Sequence, residues 1–189
     1  MKAPKLTPTT LSVNYPGLRL RRLRHGDADS LVRHGNNPKV AQNLQDRFPS
    51  PYTREDAYRF IEYAQGATLE SIFGIEVEGE VNGIGSLLFK EDVFSVSTEL
   101  GYWLSEAHWG KGMMTEVVKS LTRHAFADLE KERVYANAYD YNPASRRVLE
   151  KAGFQLEGKA RNAAVKNGRL MDVWTFGCIR EEYMAQTSH

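Results

Sequence analysis

The most constraining feature of the sequence is a turn with two glycines between an aromatic-rich strand and an amphipathic helix. The strand pattern ends at Leu104, the turn is Gly110-Lys111-Gly112, and helical spacing begins at Met113. Glycine lets the backbone approach a ligand closely and adopt positive φ. The N–H groups at a helix start have no intrahelical partner, and the helix dipole adds partial positive charge there. The segment therefore predicts a cradle for a pyrophosphate group.

Two common phosphate-binding loops do not fit this turn. A nucleotide triphosphate loop follows G-x-x-x-x-G-K-[ST], whereas Lys111 precedes Gly112 and the earlier glycine is missing. A dinucleotide loop needs a third glycine and follows the first strand of its fold, but this turn lies in the middle of the chain. Glycine pairs also occur in turns that bind nothing, so the surrounding residues are needed to distinguish a phosphate-binding turn from an ordinary one.

The composition indicates a globular protein without a strong electrostatic preference. Its 189 residues are 41% hydrophobic and carry a formal charge of +1, which attracts neither nucleic acid nor an anionic membrane. No apolar run is long enough to span a bilayer. The single cysteine, Cys178, fits a reducing compartment and lies in an apolar run typical of a buried strand. We therefore expect a cytoplasmic protein. We also expect no metal site, because the histidines lack metal-ligand spacing.

The chain divides into an arm and one domain. Residues 1–16 contain three prolines and predict an irregular arm, while residues 17–182 predict a single domain. Apolar runs within residues 71–104 predict an antiparallel meander. After the glycine turn come a helix, a strand, a helix that begins at Asn142-Pro143, and two last strands joined at Asn167-Gly168.

Two stretches in this order carry a family resemblance. They are Glu99–Leu104 with Trp109–Glu116, and Asn142–Ser145 with Gly153–Gly158. Together they resemble the GNAT acyltransferases, in particular the RimJ/RimL-like branch of N-terminal acetyltransferases, over roughly residues 17–180. The resemblance implies an α+β fold with a twisted mixed sheet of about seven strands flanked by helices. It also implies an enzyme that moves the acetyl group of acetyl-CoA to a primary amine.

The resemblance further implies where acetyl-CoA binds. The pantetheine arm would lie in a gap beside the strand, and the pyrophosphate would contact amides of the turn and the helix start. Arg147 is a candidate for the 3′-phosphate. The predicted cofactor-binding residues are Tyr102, Trp103, Leu104, Trp109, Gly110, Lys111, Gly112, Met113, Met114, Thr115, Asn142, Ser145 and Arg147.

Two residues are predicted to be catalytic. An attacking amine must lose a proton, and Glu99 stands where the family often places a carboxylate that faces the acceptor; alternatively, Glu99 pairs with a cation on the sheet. Ser145 would donate to the departing thiolate, since Leu149 occupies the position where many members have tyrosine. Asn142 is a cofactor contact, a helix N-cap, or both.

The sequence does not identify the amine that accepts the acetyl group. Phe48, Tyr52, Glu99 and Tyr139 are the predicted substrate-binding residues. The amine belongs to a protein or peptide N-terminus, or to a small molecule such as an antibiotic, a polyamine or an amino acid. No nucleophile with an adjacent base is visible, which predicts direct attack in a ternary complex. A non-catalytic acyl-CoA sensor is the competing hypothesis, and the chain is expected to be a monomer or homodimer.

Overall fold

The computed structural model describes residues 8–187, which form one eight-stranded mixed sheet with helices on both faces. The strand order is β1-β2-β3-β4-β5-β6-β8-β7, and only β5 and β6 are parallel. The strands are β1 Thr10–Ser12, β2 Leu18–Arg21, β3 Glu70–Val77, β4 Glu80–Phe89, β5 Ser97–Leu104, β6 Arg133–Tyr139, β7 Gln155–Lys166 and β8 Arg169–Ile179. The helices are α1 Ala28–Gly35, α2 Pro38–Ala41, α3 Arg54–Gly66, α4 Met113–Ala127, α5 Pro143–Lys151 and α6 Arg180–Thr187.

The α+β class is confirmed, with one strand more than the predicted seven. The additional strand is β1, which lies in the segment 1–16 that the prolines predicted to be irregular. It forms because β2 offers an open edge, on which Thr10–Ser12 pairs antiparallel. Residues 1–7 of the predicted arm lie outside the described residues. At the other end, helix α6 continues beyond the predicted boundary at residue 182.

Local chemistry explains where the helices next to the site begin. Thr53 and Asp56 form a capping box at the start of α3, in which each side chain accepts from the other's backbone N–H. Asn142 caps α5 by accepting from the N–H of Ser145 at 3.0 Å, and Pro143 occupies the first helical position. The N-cap interpretation of Asn142 is therefore confirmed.

The core has one part on each face of the sheet. Helix α4 packs Val117, Val118 and Leu121 against strand residues on one face, and α1 and α3 pack Leu31 and Ile61 on the other. Each of these side chains is completely buried. Cys178 lies in the first part, as its apolar run predicted, and burial raises the pKa of its thiol to about 11.

A buried ion cluster joins β2, β3 and the turn before α1. Arg21 donates two hydrogen bonds to Asp27, at 2.7 and 2.8 Å, and a third to Glu76. All three side chains are at most 10% exposed. Burial raises the pKa of both carboxyl groups, but the hydrogen bonds and charge of Arg21 outweigh it, so both pKa values are lowered.

The described residues include no helix with enough length and apolar character to cross a bilayer. Among residues 8–187, no group of three His, Cys, Asp or Glu side chains is arranged to hold a metal ion.

Candidate active site

The site begins where the two parallel strands separate. Strands β5 and β6 pair only at Ser97, Thr98 and Glu99, although β6 continues to Tyr139. The other edge of β5 pairs with β4 as far as Leu104. Beyond Glu99, the edge of β5 that faces β6 therefore opens into a gap, as the resemblance implied.

The glycine turn lies at one end of this gap and has the predicted backbone. Gly110 has φ +74° and Gly112 has φ +81°, a left-handed conformation that side chains disfavour. A Cβ added at either glycine would meet no atom within 4 Å, so the space in front of the turn is open. Helix α4 follows directly, and its first N–H groups have no intrahelical partner. Such a turn fits a pyrophosphate.

The gap and the turn border one cavity of about 1400 Å³. Every predicted site residue except Lys111 lines it, including the acceptor residues and Arg147. Lys111 is exposed, so its charge acts on the cavity from outside. Arg147 forms no ion pair with any residue between 8 and 187, whereas its neighbour Arg146 pairs with Glu150 at 2.8 Å. Of the two arginines, Arg147 is the one available to a ligand.

Two aromatic residues near the turn have structural bonds. The Trp109 indole donates to the carbonyl of Leu104 at 2.7 Å and so fixes the turn against the end of β5. His108 Nε2 lies 3.0 Å from the side-chain oxygen of Asn82, an arrangement that makes this nitrogen the donor. Burial, together with the charge of Lys111, lowers the pKa of His108. A neutral histidine is a poor phosphate ligand.

Ser145 lies on the first turn of α5, where a phenol from β5 reaches it. The hydroxyl of Tyr102 is 2.8 Å from Ser145 Oγ, and both residues line the cavity. Burial raises the pKa of Tyr102 to about 12, although its hydrogen bond to Ser145 acts in the opposite direction. Leu149 is completely buried in the core. The sequence interpretation assigned Tyr102 to backbone contacts and missed its side chain.

Glu99 lies at the last residue pair before the strands separate, and three donors hold its carboxylate. Lys90 donates at 2.8 Å, the Tyr135 hydroxyl at 3.2 Å and the Asn137 amide at 3.3 Å. Burial lowers the pKa of Lys90, but the hydrogen bond and charge of Glu99 outweigh it and raise the pKa overall. The ion pair that was the alternative interpretation of Glu99 is therefore present. Alternation along β6 places Tyr135, Asn137 and Tyr139 on one face, a signal that could have found two of these partners.

The part of the cavity that contains the predicted substrate-binding residues Phe48 and Tyr52 is aromatic. Phe48 stacks on Tyr52 with ring centroids 4.9 Å apart and meets Trp103 edge-on at 5.8 Å. All three rings lie near Gly35 at the end of α1, where an added Cβ would be 3.4–3.6 Å from each. Burial raises the pKa of Tyr52 to about 12, so its hydroxyl stays neutral at physiological pH. This part of the cavity fits an apolar group.

The loop of residues 42–52 is tied across the cavity to distant parts of the chain. Lys166 in β7 donates to the Leu44 carbonyl at 2.7 Å and to Asp46 at 2.6 Å. The Tyr141 hydroxyl donates to the carbonyl of Gln42. The Lys166 side chain is only 10% exposed. The final hairpin thus helps to shape the aromatic part of the cavity.

An open glycine turn before a helix, a gap beside a strand and an aromatic pocket on one cavity fit an acyl-CoA transferase. The sequence of the chain agrees. Residues 17–155 match the family described as "Acetyltransferase (GNAT) domain", and the chain belongs to this family. It is an N-acetyltransferase with acetyl-CoA as its acyl donor, and the family resemblance of the two motifs is confirmed.

Individual relatives extend over most of the chain. The N-acetyltransferase p20 of Bacillus licheniformis is 29% identical over 179 residues, which are 88% of this chain and 94% of p20. The ribosomal-protein-serine acetyltransferase of Escherichia coli strain K12 is 32% identical over 102 residues, 54% of this chain and 56% of that enzyme. Among solved structures, Mycobacterium smegmatis RimJ in complex with CoA-disulfide has a TM-score of 0.82 and 21% identity, covering 95% of this chain and 90% of RimJ.

Proposed function

We propose that this chain acetylates the free α-amino group of a peptide or protein by direct attack within a ternary complex. The observation that carries the proposal is one continuous cavity, which extends from the glycine turn past Glu99 to the aromatic group of Phe48, Tyr52 and Trp103. Both substrates can occupy it together. Acetyl-CoA supplies the activated acetyl group when bound.

The donor would lie along the gap between β5 and β6. Backbone groups of Tyr102–Leu104 would bind its pantetheine arm, and the amides of Gly110–Thr115 would bind its pyrophosphate. Arg147 would contact the 3′-phosphate. Positioning of this kind supplies much of the rate acceleration in a reaction between two bound substrates.

Glu99 is proposed to accept the proton of the attacking amine, directly or through water. An ionised carboxylate has about four lone-pair sites, and its three present donors leave one open. The ion pair with Lys90 holds the carboxylate in place and leaves this remaining lone-pair site free for the amine. A positioned base of this type contributes roughly a hundredfold to ten-thousandfold in rate.

Direct attack is favoured over a covalent acyl-enzyme. Cys178 is buried in the core and does not line the cavity, and burial keeps its thiol protonated by raising its pKa to about 11. The Ser145 hydroxyl contacts the Tyr102 phenol and the Ser145 N–H donates to the Asn142 side chain, and no histidine among residues 8–187 hydrogen-bonds to Ser145.

The charges of the cavity favour a peptide amine over a polyamine. Three carboxylates of the described residues line the cavity: Asp56 pairs with the cation of Arg59 and Glu99 with that of Lys90, whereas Glu70 accepts from the neutral hydroxyl of Tyr63. A polyamine carries several positive charges, and Glu70 is the one lining carboxylate among residues 8–187 that has no cation as its partner. An N-terminal residue brings a single amine, and the residues that follow it can pack on the aromatic group. The E. coli relative that acts on a ribosomal protein supports the same choice.

The test is a panel of acceptors incubated with acetyl-CoA. Release of the CoA thiol is measured, and acetylated products are identified by mass spectrometry. Each peptide with a free N-terminus has an N-formylated copy as its control, and spermidine, an aminoglycoside and free amino acids complete the panel. Acetylation of unblocked peptides only is the expected result. Turnover of small amines alone would refute the peptide assignment. Acetyl-CoA binding without turnover of any acceptor would favour the sensor hypothesis.

A further inference from the structure

The Tyr102 side chain is directed toward α5 by strand alternation. Side chains alternate between the two faces of β5, so Trp103 faces the aromatic acceptor pocket and Tyr102 faces the other way, against the core part that contains α4 and α5. The Tyr102 hydroxyl thereby reaches Ser145 on the first turn of α5.

The polar contacts of this phenol are all with one residue. Its hydroxyl lies 2.8 Å from Ser145 Oγ and 3.5 Å from the Ser145 carbonyl. A phenol is a stronger hydrogen-bond donor than an aliphatic alcohol, because its proton is more acidic. Either hydroxyl can donate in this geometry, and the greater acidity of the phenol favours Tyr102 as the donor. Ser145 then accepts with its oxygen and keeps its own proton for another partner.

The Ser145 O–H has few hydrogen-bond acceptors within reach. The backbone N–H of Ser145 is already bound to Asn142 at 3.0 Å, and the serine side chain lines the cavity. Ser145 is also the only hydroxyl residue in α5, whose sequence is PASRRVLEK. Among residues 8–187 the Ser145 hydroxyl hydrogen-bonds only to Tyr102, so a ligand in the cavity is the further partner that its O–H can gain.

We propose that Tyr102 is a positioning residue, which donates to Ser145 Oγ and so directs the serine proton toward the sulfur of the departing coenzyme A. This rests on the proposed function. As the amine nitrogen bonds to the acyl carbon, the carbon–sulfur bond breaks and its electron pair goes to sulfur. The serine hydroxyl stabilises that charge, and the proton lost by the amine balances the one gained by the thiol.

Desulfo-coenzyme A, which lacks the thiol, makes the contact measurable without any acceptor. The affinities of CoA and desulfo-CoA are measured by calorimetry at pH 7 and pH 9, and their ratio isolates the bond at sulfur because all other contacts cancel. For the unaltered protein we expect a ratio of roughly threefold at pH 7 that exceeds about tenfold at pH 9, where thiolate is present. A ratio of one at both values would overturn the proposal.

The variants are Tyr102→Phe and Ser145→Ala, with Tyr58→Phe as the matched control. Tyr58 stacks on His25 and does not line the cavity. Both site variants should abolish the rise of the ratio with pH, and the double variant should lose nothing more. The control should retain it. A Tyr102→Phe variant that keeps the full rise would overturn the proposal.

Two further readouts separate this inference from other failures. Unchanged affinity for desulfo-CoA in Tyr102→Phe shows that the site is intact, and a lower kcat with unchanged KM for acetyl-CoA is expected in turnover. If Tyr102→Phe lowers both affinities equally, the residue is only structural and the proposal fails. A wrong acceptor assignment would leave the affinity ratios unchanged, whereas absence of CoA binding would refute the proposed function itself.

Discussion

Replacement of Gly112 by alanine should separate backbone strain from ligand binding. Gly112 has φ +81°, and alanine in this left-handed region costs about 1–2 kcal/mol. For a protein of this size that corresponds to a Tm lower by roughly 2–8 °C. The added methyl would meet no protein atom within 4 Å, so it would enter the open space in front of the turn. There it would displace a phosphate from the backbone amides.

The expected loss of CoA affinity follows from the bonds that would be broken. One hydrogen bond to a charged group is worth about 1.5–3 kcal/mol, which predicts a Kd higher by roughly 10- to 150-fold. Gly17→Ala is the control, because Gly17 has φ +72°, equally open surroundings and no place in the cavity. Calorimetric titration with CoA and thermal unfolding should show similar Tm losses but weaker binding only for Gly112→Ala. Equal Kd values for the two variants would refute the cradle.

Three further outcomes test the fold and the acceptor side. Arg21→Met should lower the free energy of unfolding by about 3–5 kcal/mol at pH 7, measured with urea. This loss should become smaller below about pH 4. Asp27 and Glu76 have lowered pKa values, so they stabilise the folded protein above their unfolded pKa and lose this contribution as they become protonated. An equal loss of stability at pH 7 and below pH 4 would contradict the ion cluster. Cys178 should react with Ellman's reagent only after unfolding, and rapid reaction of the native protein would contradict its burial. Lys166→Met should raise KM for the peptide several-fold and leave KM for acetyl-CoA unchanged, whereas Lys159→Met, which removes an exposed pair on the same strand, should change neither.

The features that could be predicted from the sequence are those that depend on neighbouring residues. The glycine turn and the Asn142 cap each need only a few consecutive positions, and each is found where expected. Strand β7 shows the limit: the sequence indicates the turn at Asn167-Gly168, but not that the pairing with β8 is irregular between Leu156 and Gly158 and between Ala160 and Ala164.

The interactions that escaped prediction join residues far apart in the chain. The carboxylate of Glu99 is held by donors from the end of β4 and from β6, and Tyr102 meets Ser145 across 43 positions. Such contacts depend on strand order and on which face each residue occupies, and one sequence does not specify these by periodicity alone. The hydroxyl pair thus emerges only once β5 and α5 are placed beside each other.

The short ladder between β5 and β6 has a mechanical consequence. Three residue pairs connect a five-stranded half of the sheet to a three-stranded half, and then the seam opens. A pantetheine arm bound to the β5 backbone would act as a missing piece of strand that closes this seam. The donor would thereby become part of the architecture, and amide hydrogen exchange in Tyr102–Leu104 should slow when CoA binds. The enzyme would be built in two halves that its own substrate joins.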